Sequence, residues 1–254
     1  MGDLRAVIMD MDGVVVQGDH LIDGAQDLIG RLQSRNIKFL ILTNNSIYTP
    51  RDLAARLRFL GLEVPAENLY TSALATARFL HAQHPHGSAY VVGEAGLTTA
   101  LHDAGYTLTE HDPDYVVIGE TTSYSFERIA RAVRLVSDGA RFIATNPDPV
   151  GPGQFGLTPA TGALAALIAR ASGVDAYFIG KPNPLMLRTA LRQLDVHSEE
   201  AIMVGDRMDT DIVMGTESGM ETVLVLTGVT RREDVDRFPY RPSRILASVA
   251  ELHL

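Results

Sequence analysis

The sequence predicts an α/β protein with a parallel sheet as its core and a second α/β unit inserted into the chain. Short apolar runs alternate with amphipathic helices along the 254 residues, which is typical of parallel α/β folds. Several of these runs are apolar at nearly every position, as expected for strands that helices cover on both faces. The middle of the chain repeats this alternation between two segments that we assign to one sheet. These three observations together predict the fold class.

The outer segments supply the strands and helices of the predicted core. Buried strands are predicted at residues 6–9, 38–42, 201–204 and 222–226. The first helix is predicted at residues 24–33, where apolar side chains recur at the spacing of one helix face: Ala25, Leu28, Ile29 and Leu32. A second helix begins at Pro50 and stops at Gly61, and a third spans residues 185–194.

The middle of the chain carries enough elements for a unit of its own. Strands are predicted at residues 90–92, 115–118 and 142–144, and helices at residues 97–104, 126–136 and 162–171. Because the segments on either side belong to one sheet, we interpret this stretch as an insertion. The predicted organisation is a core formed by residues 1–79 and 179–254, with an inserted α/β unit at residues 80–178.

Composition and charge exclude several classes of partner. The chain is 46% hydrophobic and 21% charged, which is ordinary for a globular protein. Its net charge is −9 and it has no basic stripe, so we expect no polymeric nucleic acid as partner. No apolar run approaches the roughly 20 residues of a membrane span, and no signal peptide is visible. The chain has no cysteine, so thiolate chemistry is excluded, and we expect a cytoplasmic location.

Four polar segments follow directly after predicted strands. They lie at residues 10–13 (DMDG), 43–45 (TNN), 180–182 (GKP) and 205–206 (GD), and the strand before GKP is predicted at residues 177–179. In open α/β sheets, ligands bind in the crevice beyond the carboxyl ends of the strands. We therefore expect the four segments to meet at one edge of the sheet. Each segment alone is typical of a turn or a helix cap, and their order and convergence make them informative.

The first of these segments places two carboxylates on the same side of the chain. Side chains alternate along a strand, so Asp10 and Asp12 point to the same side, a few ångströms apart. Two such carboxylates repel, and one pKa rises unless a cation or a shared proton is present. Gly13 leaves the backbone free to turn there, so that its amides face an anion.

Phosphoryl transfer is the chemistry that this set of residues favours. An ionised carboxylate attacks phosphorus to give an aspartyl phosphate, and it needs cations to approach a phosphate dianion. Mg²⁺ prefers one or two carboxylates with waters and a phosphate oxygen, and Asp10, Asp206 and Asp211 offer such ligands. Lys181 adds a positive charge and Thr43 a hydroxyl donor. Asp12 is then available to give a proton to the leaving oxygen and to take one from water.

The motifs DMDGV, LTNN, GKP and GDRMDTD resemble the four ordered motifs of the haloacid dehalogenase superfamily of phosphohydrolases. The TNN triplet and the large insertion between the second and third motifs are similar to those of the NagD-like, 4-nitrophenylphosphatase-type branch, subclass IIA. The resemblance implies a Rossmann-like core with an inserted α/β cap. It also implies Mg²⁺-dependent hydrolysis of a small phosphorylated metabolite, such as a nucleoside monophosphate or a sugar phosphate. A homodimer formed through the cap is compatible with this family.

The resemblance also implies roles for the acidic residues. Asp10 is the implied nucleophile and Asp12 the general acid/base. Asp10, Asp206 and the backbone carbonyl of Asp12 are the implied magnesium ligands. Asp211 matches the second acid of the fourth motif and supports the metal or the lysine from an outer position.

The polar residues of the other motifs are implied to bind substrate. Thr43 and Lys181 hold the phosphoryl group, and Asn44 and Asn45 line the site. The segment at residues 146–148 (NPD) follows a predicted strand of the insertion, and the family uses this loop near the active site. Asn146 and Asp148 are therefore candidate ligands of the leaving group, although the same segment is equally typical of a simple turn. Asp148 suits a hydroxyl or amino group rather than phosphate.

Three alternatives remain open at this stage. A phosphorylatable signalling domain uses a similar set of aspartate, threonine and lysine without turnover, and Asp12 argues against it because a second acid activates water. A phosphotransferase or mutase passes the phosphoryl group to a second hydroxyl, which requires a site that excludes water. A non-catalytic binding protein is disfavoured because every catalytic position of the motifs is filled.

Overall fold

The structure is a computed structural model that describes residues 4–123, 125–153 and 156–253. The described residues form two compact units. The first comprises the described residues up to Thr43, Arg51–Tyr70 and the described residues from Lys181 onward. The second comprises Asn44–Pro50 and Thr71–Gly180. Within the described chain, no helix has the length and apolar character needed to cross a bilayer.

Strands and helices alternate through both units. The strands are β1 (Ala6–Met9), β2 (Val16–Gln17), β3 (His20–Leu21), β4 (Lys38–Thr43), β5 (Leu69–Thr71), β6 (Ser88–Val92), β7 (Thr107–Leu108), β8 (Tyr115–Ile118), β9 (Arg141–Ala144), β10 (Val150–Gly153), β11 (Gly156–Pro159), β12 (Tyr177–Phe178), β13 (Ala201–Gly205), β14 (Glu221–Val225) and β15 (Arg244–Leu246). The α-helices are α1 (Ala25–Ser34), α2 (Pro50–Phe59), α3 (Ser72–Gln83), α4 (Ala95–Asp103), α5 (Phe126–Ser137), α6 (Thr161–Ser172), α7 (Pro184–Leu194) and α8 (Val213–Glu217). Short 3₁₀ helices lie at Ala66–Asn68, Ser198–Glu200, Arg232–Arg237 and Val249–Glu251, and a π-helical turn lies at Met208–Ile212.

The first unit is built on a six-stranded sheet in the order β15-β14-β13-β1-β4-β5. The central strand β1 pairs in parallel with β13 on one side and with β4 on the other, with Ala6 opposite both Ala201 and Lys38. All four residues of β1 are fully buried, because the strand lies in the middle of the sheet and both faces are covered. Its predicted bounds are those of the structure.

Helix α1 shows how the sequence determines the packing of this unit. The residues predicted to face the core are its buried ones: Ala25, Leu28, Ile29 and Leu32. The helix begins after Gly24, which has a positive φ of 87°. A Cβ at this position would lie 2.5 Å from the Cα of Ala250, so only glycine allows this close approach.

The second unit contains a five-stranded parallel sheet in the order β12-β9-β8-β6-β7. Helices α5 and α6 pack against one another and bury Ala132, Val136 and Ile168 in a core with strand residues such as Val116 and Phe142. Helices α3 and α4 also pack against one another. A separate antiparallel hairpin, β10–β11, carries exposed residues along β11. The α/β fold with a parallel sheet core, predicted from the sequence, is confirmed.

The bounds of the second unit differ from the predicted insertion at residues 80–178. The unit begins at Thr71, ends at Gly180 and includes Asn44–Pro50. Helix α3 accounts for the earlier start of the unit. It buries small residues together with Leu80, and the ring of Phe79 lies 5.5 Å from the ring of Tyr177 in the same unit. Because most of the buried residues of this helix are small, its apolar face is weakly marked in the sequence. The sequence therefore did not predict that the helix belongs to the second unit.

Candidate active site

Three neighbouring strands of the first unit end in polar residues. Asp10 follows β1 directly and its backbone amide donates to the carbonyl of Val204 at 2.9 Å. Asp206 follows the last residue of β13, and Thr43 is the last residue of β4. Asp10, Thr43 and Asp206 are all buried. The topology of the sheet therefore brings residues from distant parts of the chain to one edge.

Lys181 joins two carboxylates at this edge. Its Nζ lies 2.6 Å from Asp10 Oδ1 and 2.8 Å from Asp211 Oδ1. The other oxygen of Asp211, Oδ2, accepts a hydrogen bond from the backbone amide of Arg207 at 3.3 Å. Asp211 lies in the π-helical turn, a distortion that is frequent at functional sites. Because both oxygens of Asp211 accept hydrogen bonds, this residue is arranged to hold the lysine.

Asp10, Asp206 and Asp211 each offer one carboxylate oxygen, and these atoms lie within 4.8 Å of one another. Asp206 Oδ2 accepts the backbone amide of Val229 at 2.7 Å. Asp206 Oδ1 is buried and accepts no hydrogen bond from any residue that the structure describes. A buried carboxylate oxygen without a donor is costly unless a cation or a proton neutralises it. The donor set therefore fits a hard divalent cation such as Mg²⁺, which takes few carboxylates and completes its shell with water and phosphate oxygens.

Burial and mutual repulsion raise the pKa values of Asp10 and Asp206. Desolvation raises the pKa of Asp10 well above its ordinary value, against the attraction of Lys181, and the charges of Asp211 and Asp206 raise it further. Desolvation, and then the charge of Asp211, raise the pKa of Asp206 to about 6. Burial alone would lower the pKa of Lys181, but the charges of Asp10 and Asp211 raise it overall. The lysine is therefore a permanent cation here, whereas the carboxylates need a further positive charge to stay ionised together.

Asp12 lies in a different environment from Asp10. Its side chain remains exposed to solvent, although protein atoms crowd around it closely enough to desolvate the carboxyl. This desolvation raises the pKa of Asp12, while the charges of Arg56 and Lys181 act in the opposite direction. One carboxylate of the pair is thus buried against a lysine, and the other remains accessible to solvent. This difference is what a nucleophile and a general acid require.

Glycines allow the acids to approach the backbone. A Cβ on Gly205 would lie 2.1 Å from the Cβ of Asp211, and a Cβ on Gly228 would lie 2.0 Å from Asp206 Oδ2. Gly13 has a φ of 82°, and a Cβ there would lie 2.6 Å from Asp206 Oδ2. Side chains at these three positions would displace the two aspartates.

The other predicted substrate residues lie in the second unit, where three of them share hydrogen bonds. The side-chain amide of Asn44 donates to Asp148 Oδ2 at 2.8 Å, and that of Asn146 donates to the carbonyl of Asn44 at 2.9 Å. Asn146 Oδ1 accepts the backbone amide of Asp148 at 3.1 Å. Asn45 Oδ1 accepts the backbone amides of Ile47 and Tyr48, each at 3.1 Å, and so closes its own turn.

Sequence reasoning missed two features of the site in the first unit. Desolvation raises the pKa of Asp12 and the charge of Arg56, on α2, acts against it, yet in the sequence Arg56 is one of several basic residues on a helix. The backbone amide of Val229 holds Asp206, and a main-chain donor has no signature in the sequence. The only available signal was the position of TGVT just after the predicted strand at residues 222–226.

Comparison with known proteins points to one family. Residues 7–107 match a family model described as haloacid dehalogenase-like hydrolase, and residues 178–252 match one described as HAD-hydrolase-like. The chain is 52% identical to a dihydroxyacetone phosphatase from Corynebacterium glutamicum, over 96% of this chain and 89% of that protein. It is 44% identical to the ribonucleotide monophosphatase NagD from Escherichia coli, over 98% of each chain. The solved structure of NagD from E. coli K-12 matches with a TM-score of 0.94 and 43% identity, covering 99% of both chains.

Proposed function

Because this chain belongs to the haloacid dehalogenase-like hydrolases, in their NagD-like branch, we propose that Asp10 is the nucleophile of its reaction. The chain is a phosphoric monoester hydrolase that acts on small phosphorylated metabolites. The observation that carries the nucleophile assignment is the position of Asp10. It lies 2.6 Å from the ammonium of Lys181. The same cluster contains Asp206, whose Oδ1 accepts no hydrogen bond from the residues that the structure describes.

The reaction proceeds in two in-line displacements. A carboxylate oxygen of Asp10 attacks phosphorus, the bond from phosphorus to the ester oxygen breaks, and Asp12 gives its proton to that oxygen. Water then attacks the aspartyl phosphate and gives a proton to Asp12, and the bond from phosphorus to the Asp10 oxygen breaks. Inorganic phosphate leaves, and both aspartates return to their starting protonation states.

The neighbours of Asp10 prepare it for this attack. Lys181 lowers the pKa of Asp10 against the effect of burial and so favours the ionised nucleophile. The same ammonium stabilises the negative charge on the phosphoryl oxygens, and Asp211 holds it in place at 2.8 Å. The hydroxyl of Thr43, at the end of the neighbouring strand, is the proposed donor to another phosphoryl oxygen.

Mg²⁺ is the proposed cofactor, held by Asp10, Asp206 and the backbone carbonyl of Asp12. Asp211 acts from an outer position, because its two oxygens accept hydrogen bonds from Lys181 and Arg207. When bound, the ion supplies positive charge that neutralises the phosphate dianion and the carboxylates around it. The raised pKa values of Asp10 and Asp206 support this proposal, since both indicate a cluster short of positive charge.

We assign recognition of the leaving group to residues of the second unit. The candidates are Asn44, Asn45, Asn146 and Asp148. Support comes from the hydrogen bonds that join three of them and from the buried position of Asn146.

A homodimer and a cytoplasmic location complete the proposal. The mass of the assembly in solution and cell fractionation test these two points.

The decisive experiment measures phosphate release from a panel of metabolites in the presence of Mg²⁺ and again with EDTA. The panel contains dihydroxyacetone phosphate, nucleoside monophosphates, sugar phosphates, phosphoglycolate and pyridoxal phosphate, since the relatives carry different substrate names. We expect Mg²⁺-dependent release from at least one compound, and none from Asp10→Asn at the same folded concentration. Wild-type turnover by Asp10→Asn would refute the nucleophile assignment. Turnover that EDTA leaves intact would refute the proposed cofactor.

A further inference from the structure

The segment after β14 forms hydrogen bonds to Asp206 and to Gly13, which lie in different parts of the chain. We call residues 227–230 (TGVT) the clamp loop. The backbone amide of Val229 donates to Asp206 Oδ2 at 2.7 Å, and that of Thr230 donates to the Asp206 carbonyl at 3.1 Å. The hydroxyl of Thr227 donates to the carbonyl of Gly13 at 2.6 Å. The clamp loop therefore joins Asp206 to the turn that follows the nucleophile.

These contacts hold the Asp206 carboxylate in one orientation. Oδ2 is occupied by a main-chain donor, whereas Oδ1 accepts nothing from the described residues. Gly228 adds a steric limit, since a Cβ at that position would lie 2.0 Å from Oδ2. The hydroxyl of Thr230 accepts the backbone amide of Met208 at 3.1 Å, which anchors the loop to the π-helical turn. Rotation of the carboxylate would break the bond to Val229, so the donor-free oxygen keeps its direction.

We propose that the clamp loop is a positioning element that sets the affinity of the site for its divalent cation. The inference rests on the proposed function, because it takes Asp206 as a ligand of that ion. The amide of Val229 satisfies one oxygen and leaves the other for the cation, so the ligand is oriented before the ion arrives. Hydrogen bonds to ligand side chains commonly control metal affinity in this way. No side chain of the loop takes part in the chemical steps.

A matched pair of substitutions at Val229 separates the amide from the side chain. Val229 is 68% exposed, so truncation of its side chain costs little packing. Val229→Pro removes the N–H that holds Asp206, whereas Val229→Ala retains it. Calorimetric titration with Mg²⁺ alone is the readout, and circular dichroism verifies the fold. We expect Val229→Pro to bind Mg²⁺ about 10- to 100-fold more weakly than Val229→Ala.

A second pair keeps the inference testable if the proline variant does not fold. Thr227→Val removes the hydroxyl that donates to Gly13 at nearly constant volume, and Thr227→Ser restores it. We expect Thr227→Val to weaken Mg²⁺ binding and Thr227→Ser to recover it. In steady-state assays the Mg²⁺ concentration for half-maximal rate rises in Thr227→Val, while kcat at saturating Mg²⁺ changes much less. A purely structural role would instead lower kcat at saturating Mg²⁺ as well.

The results distinguish failure of this inference from failure of the proposed function. Equal Mg²⁺ affinity in the two variants of each pair, in folded protein that still binds the ion, overturns the inference about the clamp loop and leaves the proposed function standing. A wild-type protein that neither binds Mg²⁺ nor releases phosphate in its presence overturns the proposed function and the inference with it. Weakened binding in Val229→Pro or Thr227→Val, with wild-type phosphatase activity recovered at high Mg²⁺, supports both.

Discussion

The ammonium of Lys181 lies 2.6 Å from Asp10 Oδ1, and both side chains are buried. Asp211 binds the same ammonium from the other side at 2.8 Å, so one cation faces two carboxylates. The cluster has more negative than positive charge even before Asp206 is counted. The lysine alone cannot neutralise this imbalance, which is consistent with the proposed Mg²⁺.

Replacement of Lys181 should harm both catalysis and stability. Lys181→Met leaves Asp10 and Asp211 buried without their common cation, so we expect a lower melting temperature. It also removes charge stabilisation from the phosphoryl group, and we expect kcat/KM to fall by about 10²–10³-fold. Steady-state assays and thermal unfolding measure the two effects.

A double substitution separates the two effects of Lys181. Lys181→Met combined with Asp211→Asn removes one of the unpaired charges and should recover part of the melting temperature without recovering activity. If the double variant regained wild-type kcat/KM, the lysine would have no direct role in the reaction.

Asp12→Asn should separate the two displacement steps. The first step needs a proton donor only when the leaving group is basic, whereas the second needs a base for water in every case. With 4-nitrophenyl phosphate we therefore expect a rapid burst of 4-nitrophenolate, equal to the enzyme concentration, and then turnover slowed by about 10²–10⁴-fold. Stopped-flow absorbance measures the burst. An alkyl phosphate serves as the control, and chemical-quench measurement of the released alcohol should show no burst.

A change confined to KM for both substrates of Asp12→Asn would contradict an acid/base role. The raised pKa of Asp12, which burial causes, is consistent with a group that carries a proton at the start of the cycle.

The metal-free protein should lose stability as the pH rises. The pKa of Asp206 is raised from 3.8 to about 6 in the folded state, so the folded protein binds this proton more tightly than the unfolded chain. The resulting stabilisation is complete below about pH 4 and is lost as the pH rises through 6. In EDTA we expect the melting temperature to fall by several degrees between pH 5 and pH 7.5. Asp10, whose pKa is also raised, acts in the same direction.

Asp206→Asn should flatten this pH dependence, and Mg²⁺ should raise the melting temperature of the wild type more than that of the variant. Asp209→Asn is the matched control, because Asp209 lies three residues away with its side chain 55% exposed and paired to Arg207. Partial burial of Asp209 would raise its pKa, but the hydrogen bond and the charge of Arg207 lower the pKa of Asp209 overall. An identical slope in wild type and Asp206→Asn would show that Asp206 does not titrate in this range.

The parts of the fold that could be predicted are those in which periodicity and burial agree. Strand β1 has four consecutive apolar residues, and α1 has one clear apolar face, so both were located to within a residue. The hairpin β10–β11 was not predicted, because its strands consist largely of glycine, proline and polar residues. Helix α3 was missed because small residues on several sides leave no distinct stripe.

The candidate site likewise contains residues that could be predicted from the sequence and contacts that could not. Asp10 and Asp206 could be predicted because each side chain follows a strong strand signal and parallel strands share one edge. Lys181 follows the two-residue strand β12, which belongs to the other sheet, so its GKP motif identified it and a shared sheet edge did not. Contacts that depend on the main chain could not be predicted. The amide of Val229 is the clearest example, since any residue except proline offers the same donor.

Gly205 provides a test of how tightly the second acid of the cluster is packed. A Cβ at this position would lie 2.1 Å from the Cβ of Asp211, within the buried end of β13. Gly205→Ala must therefore move Asp211 or the strand, and Lys181 loses the contact that holds it at 2.8 Å. We expect a melting temperature several degrees lower, consistent with about 1–3 kcal/mol for overpacking, and a large loss of kcat.

Gly30→Ala is the matched control for this substitution. Gly30 lies on the exposed face of α1, and no atom outside its own helix lies within 4 Å of a Cβ built there. Alanine in a helix interior is favoured over glycine by about 1 kcal/mol, so this variant should be slightly more stable and fully active. Thermal unfolding and phosphate release compare the two proteins directly. If Gly205→Ala matched Gly30→Ala in activity, the position of Asp211 would not matter for the reaction, and its assignment as the support of Lys181 would be wrong.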